Sequence, residues 1–431
     1  MKIKEITTCR ICGNANLVEV LDLGTQTLSG RFPADRESDP PNAPLTLLRC
    51  DNSKKEACGL LQLKHSVSLE EMYQHEYGYR SGINRTMREH LGEMTTDVTK
   101  LACLKGGDVA LDIGSNDATL LKSYEVKDLK KVGIDPAGEQ FREYYTECIK
   151  LVSDYFNARN YFSIFPNQKA KVITSIAMFY DLPDPMGFVK DISEVLDANG
   201  VWVFEQSYMP TMLERNSFDT ICHEHLEYYT LKQIKWMLDR SGLRIIDVLF
   251  NDINGGSFRV YACHNDAPYK SKKSKIKEIL LNEENVLELD TQRPYNEFKD
   301  RIMIFRSRLR EFLIGEKERG KSIYIYGAST KGNVLLQFCD IDNKLIIAAA
   351  DRNPKKWGHR TPLTNIPIVS EEEVRTAKPD YLLVLPWHFR SEFIEREKEF
   401  LANGGKLIFP LPQMEIVEMR RSYILQGFAL K

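Results

Sequence analysis

Residues 109–121 read VALDIGSNDATLL. Val-Ala-Leu-Asp-Ile is a short apolar run suited to a buried parallel strand, Gly114-Ser115-Asn116-Asp117 is a tight turn, and Ala118-Thr119-Leu120-Leu121 starts a helix. Strand, glycine turn and helix in this order open a nucleotide-binding α/β sheet. Its ligand lies beyond the carboxyl ends of the strands, where Gly114 lets the backbone come close and the helix start offers free N–H groups. The turn carries neither the G-x-G-x-x-G of a dinucleotide site nor the G-x-x-x-x-G-K-[ST] of a phosphate loop. Asp112 and Asp117 would repel a pyrophosphate but suit the ammonium and sulfonium of S-adenosylmethionine (SAM). Val132-Gly133-Ile134-Asp135-Pro136 is a second strand ending in an acid about twenty residues on, where a ribose-binding carboxylate belongs. An Asp-rich surface turn is the alternative for the loop alone, and Asp135 weakens it.

The same α/β alternation continues downstream. Residues 172–176 (VITSI) and 200–205 (GVWVFE) read as the fourth and fifth strands, with an amphipathic helix over 184–196 between them. Asp154-Tyr155-Phe156 falls where the end of the third strand approaches an adenine; the aromatic edge either stacks on the base or packs in the core. After the connector a second unit begins: Ser322 to Gly327 is a strand entering a glycine loop, 345–350 the next strand ending at Asp351, and 381–385 and 406–409 two more. Gly327 and Gly332 have phosphate-loop spacing, but Asn333 stands where Lys is required. In the charged connector, Ile302, Phe305, Leu309 and Phe312 recur at helical spacing and predict a helix packed on a domain.

At 431 residues the chain has room for two or three domains. A formal charge of −2 with both signs interspersed gives no electrostatic reason for a nucleic-acid or membrane partner. No apolar signal core opens the sequence and no apolar run is long enough to span a bilayer, so a cytoplasmic location is expected. Nine cysteines suit a reducing compartment. Cys9 and Cys12 form a C-x-x-C knuckle, and Cys50 and Cys58 supply a second pair, separated by a charged loop longer than a knuckle needs. Four thiolates make a tetrahedral structural zinc site. Free cysteines are the alternative; a redox pair is disfavoured because no strand and helix of that type surround it.

FDTICHEHLEYY, residues 218–229, holds two of the eight histidines around a glutamate. Alternate positions of an extended segment share a face, which would put His223 and His225 together. A general base near neutral pH is most often His, and Glu224 would fix its tautomer; a metal site is the rival, without a third ligand nearby. Ser257 and Arg259, after the Asn254-Gly255-Gly256 turn, would face the same site. Tyr73, Tyr77 and Tyr79, ahead of Ser81-Gly82, form a lid or ordinary packing.

With these pieces in this order, CxxC and the Cys50/Cys58 pair, LDIGSNDATLL, FDTICHEHLEYY, NGGSFR and YGASTKGN, the whole chain resembles the sugar C-methyltransferases. These methylate a nucleotide-linked 4-keto-6-deoxy sugar. The resemblance implies an α/β protein with a zinc-binding domain over 1–68, a class I SAM methyltransferase domain over 69–265, a helical connector over 266–320 and a second Rossmann-like domain over 321–431 that holds the nucleotide sugar. It implies His225 as base with Glu224 and His223 as orienting or oxyanion-stabilising partners. SAM would lie on Asp112, Gly114, Asn116, Asp117, Asp135, Pro136, Asp154 and Tyr155. Substrate contacts would come from Tyr77, Tyr79, Ser81, Cys222, Tyr228, Ser257, Arg259 and Lys331, and zinc from Cys9, Cys12, Cys50 and Cys58. The chain departs from the family pattern at Cys222 (usually Tyr), Asp181 (usually His) and Ala118 (usually Gly). O- or N-methylation of a small molecule and a non-catalytic SAM or nucleotide-sugar binder are the alternatives.

Overall fold

The computed structural model describes residues 2–34, 37–51, 56–68, 72, 80–419 and 421–424. A seven-stranded sheet runs in the order Leu243–Asn251, Ser257–His264, Leu196–Ser207, Ala170–Ile176, Val109–Ile113, Lys130–Ile134, Ile149–Val152. Ser257–His264 is antiparallel to both neighbours and the other pairings are parallel. All five residues of Val109–Ile113 are buried, as a strand covered on both faces requires. Its alternation sorts the two layers: Val109, Leu111 and Ile113 join Phe188, Val189 and Ile192 in one core, while Ala110 packs with Leu91, Met94 and Val98 in the other. Asp112 shares the parity of Ala110.

The chain passes from Val109–Ile113 to Lys130–Ile134 on one side and returns later to Ala170–Ile176 on the other. Loops at such a switch point diverge and leave a crevice past the strand ends. Gly114 turns the chain with φ +71°, and a Cβ there would meet the Met178 side chain at 3.1 Å. The helix that follows, Thr119–Lys122, is only four residues long.

A four-stranded antiparallel sheet, in the order Glu227–Tyr228, Leu61–Leu63, Asn42–Cys50, Leu17–Thr27, carries the amino-terminal cysteines. Its edge strand is the continuation of the histidine segment, paired Glu227 to Gln62 and Tyr228 to Leu61. The carboxy-terminal sheet runs Ile368–Ser370, Ala349–Asp351, Ile323–Tyr326, Tyr381–Val384, Lys406–Phe409 in parallel, then Glu415–Glu418 and Arg421–Ile424 antiparallel. The last two strands and Ile368–Ser370 are too short to announce themselves by alternation. The connector contributes the helix Arg293–Glu318, burying Tyr295, Phe298, Ile302, Leu309 and Leu313. Among the described residues no helix is long and apolar enough to cross a membrane.

Candidate active site

The knuckle turns on itself through Gly13 N–H to the Cys9 carbonyl at 2.9 Å, and Cys50 N–H to the Leu60 carbonyl at 2.8 Å draws the second pair together despite the long loop between them. Cys9 Sγ lies 3.5 Å from Cys58 Sγ and Cys12 Sγ 3.5 Å from Cys50 Sγ. All four sulfurs fall within 4.8 Å of one another. Four convergent thiols, three of them buried, suit a tetrahedral Zn²⁺ and leave no position for water, so its role is structural.

The crevice at the switch point has two chambers. One, of about 160 Å³, is lined by Ile113, Gly114, Ile134, Ala137, Phe156, Met178 and Phe188, with Asn116, Asp135, Pro136 and Tyr155 at its polar edge. An apolar slot with a carboxylate at one end fits an adenosine. Both oxygens of buried Asp135 accept backbone N–H groups, from Asn116 and from Ala137, at 2.7 Å each, so the acid sets the loop as well as facing the slot. The second chamber, about 380 Å³, shares Ser81, Gly114, Ile176 and Ala177 with the first. Asp112 lines it, accepting from Thr174 Oγ1 at 2.6 Å, and burial pushes its carboxyl up to about 7. An arriving cation such as SAM's ammonium would restore the carboxylate.

Asp117 lies elsewhere. Its carboxylate accepts from Gly82 N–H at 3.0 Å and from Thr119 Oγ1 at 2.5 Å, fastening the Ser81–Gly82 segment over the loop. Asn116 Oδ1 does the same for Ser81 N–H at 3.0 Å. Asp154 is exposed and bonded to Tyr155 N–H and Asn160, outside the slot.

The second chamber reaches from the strand ends to the carboxy-terminal domain and collects Cys222, Glu224, His225, Asn254, Ser257, Ser329, Thr330, Lys331 and His388. Here the extended reading of the histidine segment is corrected. His225 N–H bonds to the Cys222 carbonyl at 3.1 Å, closing a turn over His223 and Glu224. The turn brings Cys222, Glu224 and His225 together and sends His223 the other way, where its Nε2 donates to the Ala43 carbonyl at 2.9 Å.

His225 Nδ1 lies 2.7 Å from the Thr220 carbonyl. A carbonyl only accepts, so Nδ1 carries the proton and Nε2 keeps its lone pair. Burial pushes the ring down to about 4, with the Thr220 carbonyl opposing. Glu224 is pushed up to about 7 by burial. Its Oε1 would lie 2.7 Å from a Cβ at Gly30, so a larger residue there would push the carboxylate aside.

Of the remaining sequence candidates, Ser257 lines the chamber and bonds the Ile253 carbonyl. Arg259 stands behind it: Nε is 2.8 Å from Glu205 Oε2, and it is the opposing charge of Glu205 that makes its burial tolerable. Tyr228 is buried beyond the chamber in the amino-terminal sheet, and its hydroxyl has no hydrogen-bond partner among the described residues. Lys331 Nζ lines the chamber and donates to the Asn254 carbonyl at 2.9 Å. Asp181 lines the adenosine slot. Tyr77 and Tyr79, with Tyr73, lie outside the described residues.

Three chamber groups and one behind the chamber were not anticipated. Tyr180 meets the His225 ring edge-on at 4.4 Å. Glu205, at the end of the fifth strand, bonds His90 Nε2 at 2.5 Å, and its position at a strand's carboxyl end was a usable signal. His388, in the turn after Tyr381–Val384, leaves its Nδ1 without a hydrogen-bond partner among the described residues. Asp219 behind the chamber accepts from Trp387 Nε1 at 2.8 Å, tying the histidine segment to that same turn.

Three family models match the chain in succession: a putative zinc binding domain over 9–73, a methyltransferase domain over 84–248, and a C-methyltransferase C-terminal domain over 252–412. The C-methyltransferase NovU of Streptomyces niveus is 29% identical over 418 residues, 96% of this chain and 98% of that protein. Among solved structures, a SAM-dependent methyltransferase from Clostridium acetobutylicum is 14% identical, over 41% of this chain and 92% of that one, with TM-score 0.32. Magnesium protoporphyrin IX methyltransferase from Synechocystis PCC 6803, with bound SAH, is 10% identical over 42% and 88%, with TM-score 0.33. The carboxy-terminal match speaks for carbon, not oxygen or nitrogen, as the methylated atom. Together with the cysteine cluster, the three family-model matches and the NovU relative make the chain a SAM-dependent C-methyltransferase.

Proposed function

We propose that the chain methylates a ring carbon, C3, of a nucleotide-linked 4-keto-6-deoxy sugar, with His225 as the base. The observation that carries this reading is the His225 ring in the wall of the second chamber, its Nδ1 proton committed to the Thr220 carbonyl and its Nε2 lone pair uncommitted among the described residues. SAM, when bound, supplies a methyl group on a sulfonium. A ketone at C4 acidifies the C3–H; His225 Nε2 takes that proton, and the C–H electron pair becomes the enolate. SAM, held by Asp135 and Asp112, would give its methyl to that enolate carbon, the C–S pair passing to sulfur, and would leave as S-adenosylhomocysteine. Glu224 stabilises the imidazolium and the chamber's burial keeps water out.

The carboxy-terminal domain is read as the holder of the nucleotide. It repeats the hydrogen-bond scheme of the SAM loop: Ala328 N–H donates to Asp351 Oδ2 at 3.0 Å and Asn353 N–H to Asp351 Oδ1 at 2.8 Å, as Asn116 and Ala137 do to Asp135. Ser329 caps the following helix through Gly332 N–H, and Lys331 beside it offers a cation to a diphosphate. Incubation of the protein with SAM and a panel of nucleotide-linked keto sugars, read by mass, should give a product 14 mass units heavier with 4-keto-6-deoxy substrates. Methylation of none of them would refute the assignment.

A further inference from the structure

We propose that Cys222, Glu224 and His225 form a second metal site, taking one soft divalent cation such as Zn²⁺ or Co²⁺. One ligand atom from each of the three lies within 4.8 Å of the other two, and all three residues line the second chamber. Thiolate, carboxylate and imidazole are the donor types that zinc accepts, and three protein ligands with an open fourth position are the pattern of a reactive site, unlike the closed four-cysteine cluster. The turn closed by His225 N–H on the Cys222 carbonyl holds the two strongest ligands on one side. The Nδ1–Thr220 hydrogen bond supplies the orienting contact that metal-bound histidines ordinarily have, and leaves Nε2 for the ion.

Zinc bonds of about 2.0–2.3 Å put tetrahedral ligand atoms about 3.3–3.7 Å apart, so no pair has to close by more than about 1.5 Å on binding. The chamber, about 380 Å³, has room for the fourth ligand, a water or a substrate oxygen. Cys222 decides the matter: without its sulfur only two ligands remain. Binding displaces the Cys222 thiol proton to solvent.

A consequence rests on the proposed function. The ion occupies the Nε2 lone pair that would remove the substrate's proton, so metal binding and methyl transfer exclude each other. The test titrates the full-length, zinc-loaded protein with Co²⁺ while zinc release is followed. One additional equivalent should bind with a thiolate-to-cobalt charge-transfer band, no zinc being displaced. Cys222→Ser and His225→Gln should each lose that equivalent and band, keeping the first zinc and S-adenosylhomocysteine binding as proof of folding. Cys103→Ser and Cys148→Ser, at exposed positions, should retain both. Absence of a second equivalent, cobalt merely exchanging for zinc, or a band surviving Cys222→Ser would overturn the site. A second equivalent that binds but leaves methyl transfer unchanged would instead keep the site and overturn His225 as the base.

Discussion

His225 is neutral over the whole physiological range, because burial holds it at about 4, and not near the ordinary 6.5 from which its sequence context starts. A base with that pKa gives no rise in rate through pH 6.5. Glu224, pushed up to about 7, is the neighbour that changes charge there: it is a carboxyl below that pH and a carboxylate above it. The carboxylate favours an imidazole that is taking a proton, so kcat/KM should rise with pH through about 7, and Glu224→Gln should flatten that limb. A limb that survives in Glu224→Gln belongs to another group. Asp135→Ala should weaken SAM roughly ten- to a hundredfold, through lost hydrogen bonds to the ligand and a loosened Asn116 turn; unchanged affinity by calorimetry would remove Asp135 from the site. At this scale the sequence was readable where a residue's neighbours along the chain set its role, as for Gly114 and Asp135. It was mute for Tyr180 and His388, which come to the chamber from separate loops, and it put Arg259 in the site without showing that Glu205, 54 positions away, holds it behind the chamber.

The turn over His223 and Glu224 shows what alternation cannot supply. An extended segment would have put both histidines on one face, but a single backbone hydrogen bond, His225 N–H to the Cys222 carbonyl, reverses the chain and separates them. Immediately after it, Glu227–Tyr228 becomes the edge strand of the amino-terminal sheet, a pairing across 165 positions that no local pattern encodes. Arg10, inside the C-x-x-C knuckle, reaches the same strand: its guanidinium donates to the Leu63 carbonyl at 2.6 Å and to Ser66 Oγ at 2.8 Å, and Nε lies 3.5 Å from Glu227 Oε1. Zinc on the four cysteines would therefore brace the element that carries the proposed base. Cys9→Ser and Cys58→Ser should lose zinc by metal analysis, and turnover should fall with it. Full zinc in Cys58→Ser would remove that residue from the cluster, and full turnover without zinc would break the mechanical link. A smaller effect belongs to Ala118, held at φ 57° ahead of the helix Thr119–Lys122. Left-handed backbone costs an L-residue about 1–2 kcal/mol, partly offset in glycine by chain entropy, so Ala118→Gly should raise stability by up to about 1 kcal/mol in a denaturant titration.

Across the molecule, the two seven-stranded sheets meet at the second chamber, and a loop from the amino-terminal sheet packs against Glu224 in its wall. The loop carrying Gly30 comes from the amino-terminal sheet and is fastened to the carboxy-terminal domain by Asn333 Nδ2 on the Ser29 carbonyl at 2.7 Å and by Thr27 N–H on Gln337 Oε1 at 2.9 Å. Lys331 bridges from the same helix to Asn254, in the turn between the strands Leu243–Asn251 and Ser257–His264. Both α/β sheets were legible because a buried parallel strand followed by a glycine turn is a local signal; that they face each other across one chamber was not, since it depends on contacts between distant elements. Lys331→Ala should raise the KM for the nucleotide sugar and leave SAM binding unchanged; an unaltered KM would place the nucleotide elsewhere. Proton removal from carbon by His225 can be observed without methyl transfer. In heavy water, with a 4-keto-6-deoxy nucleotide sugar and S-adenosylhomocysteine in place of SAM, the wild-type protein should exchange the proton at C3 for deuterium. His225→Ala should lose that exchange by at least about a hundredfold while still binding SAM. Wild-type exchange in His225→Ala would exclude His225 as the base.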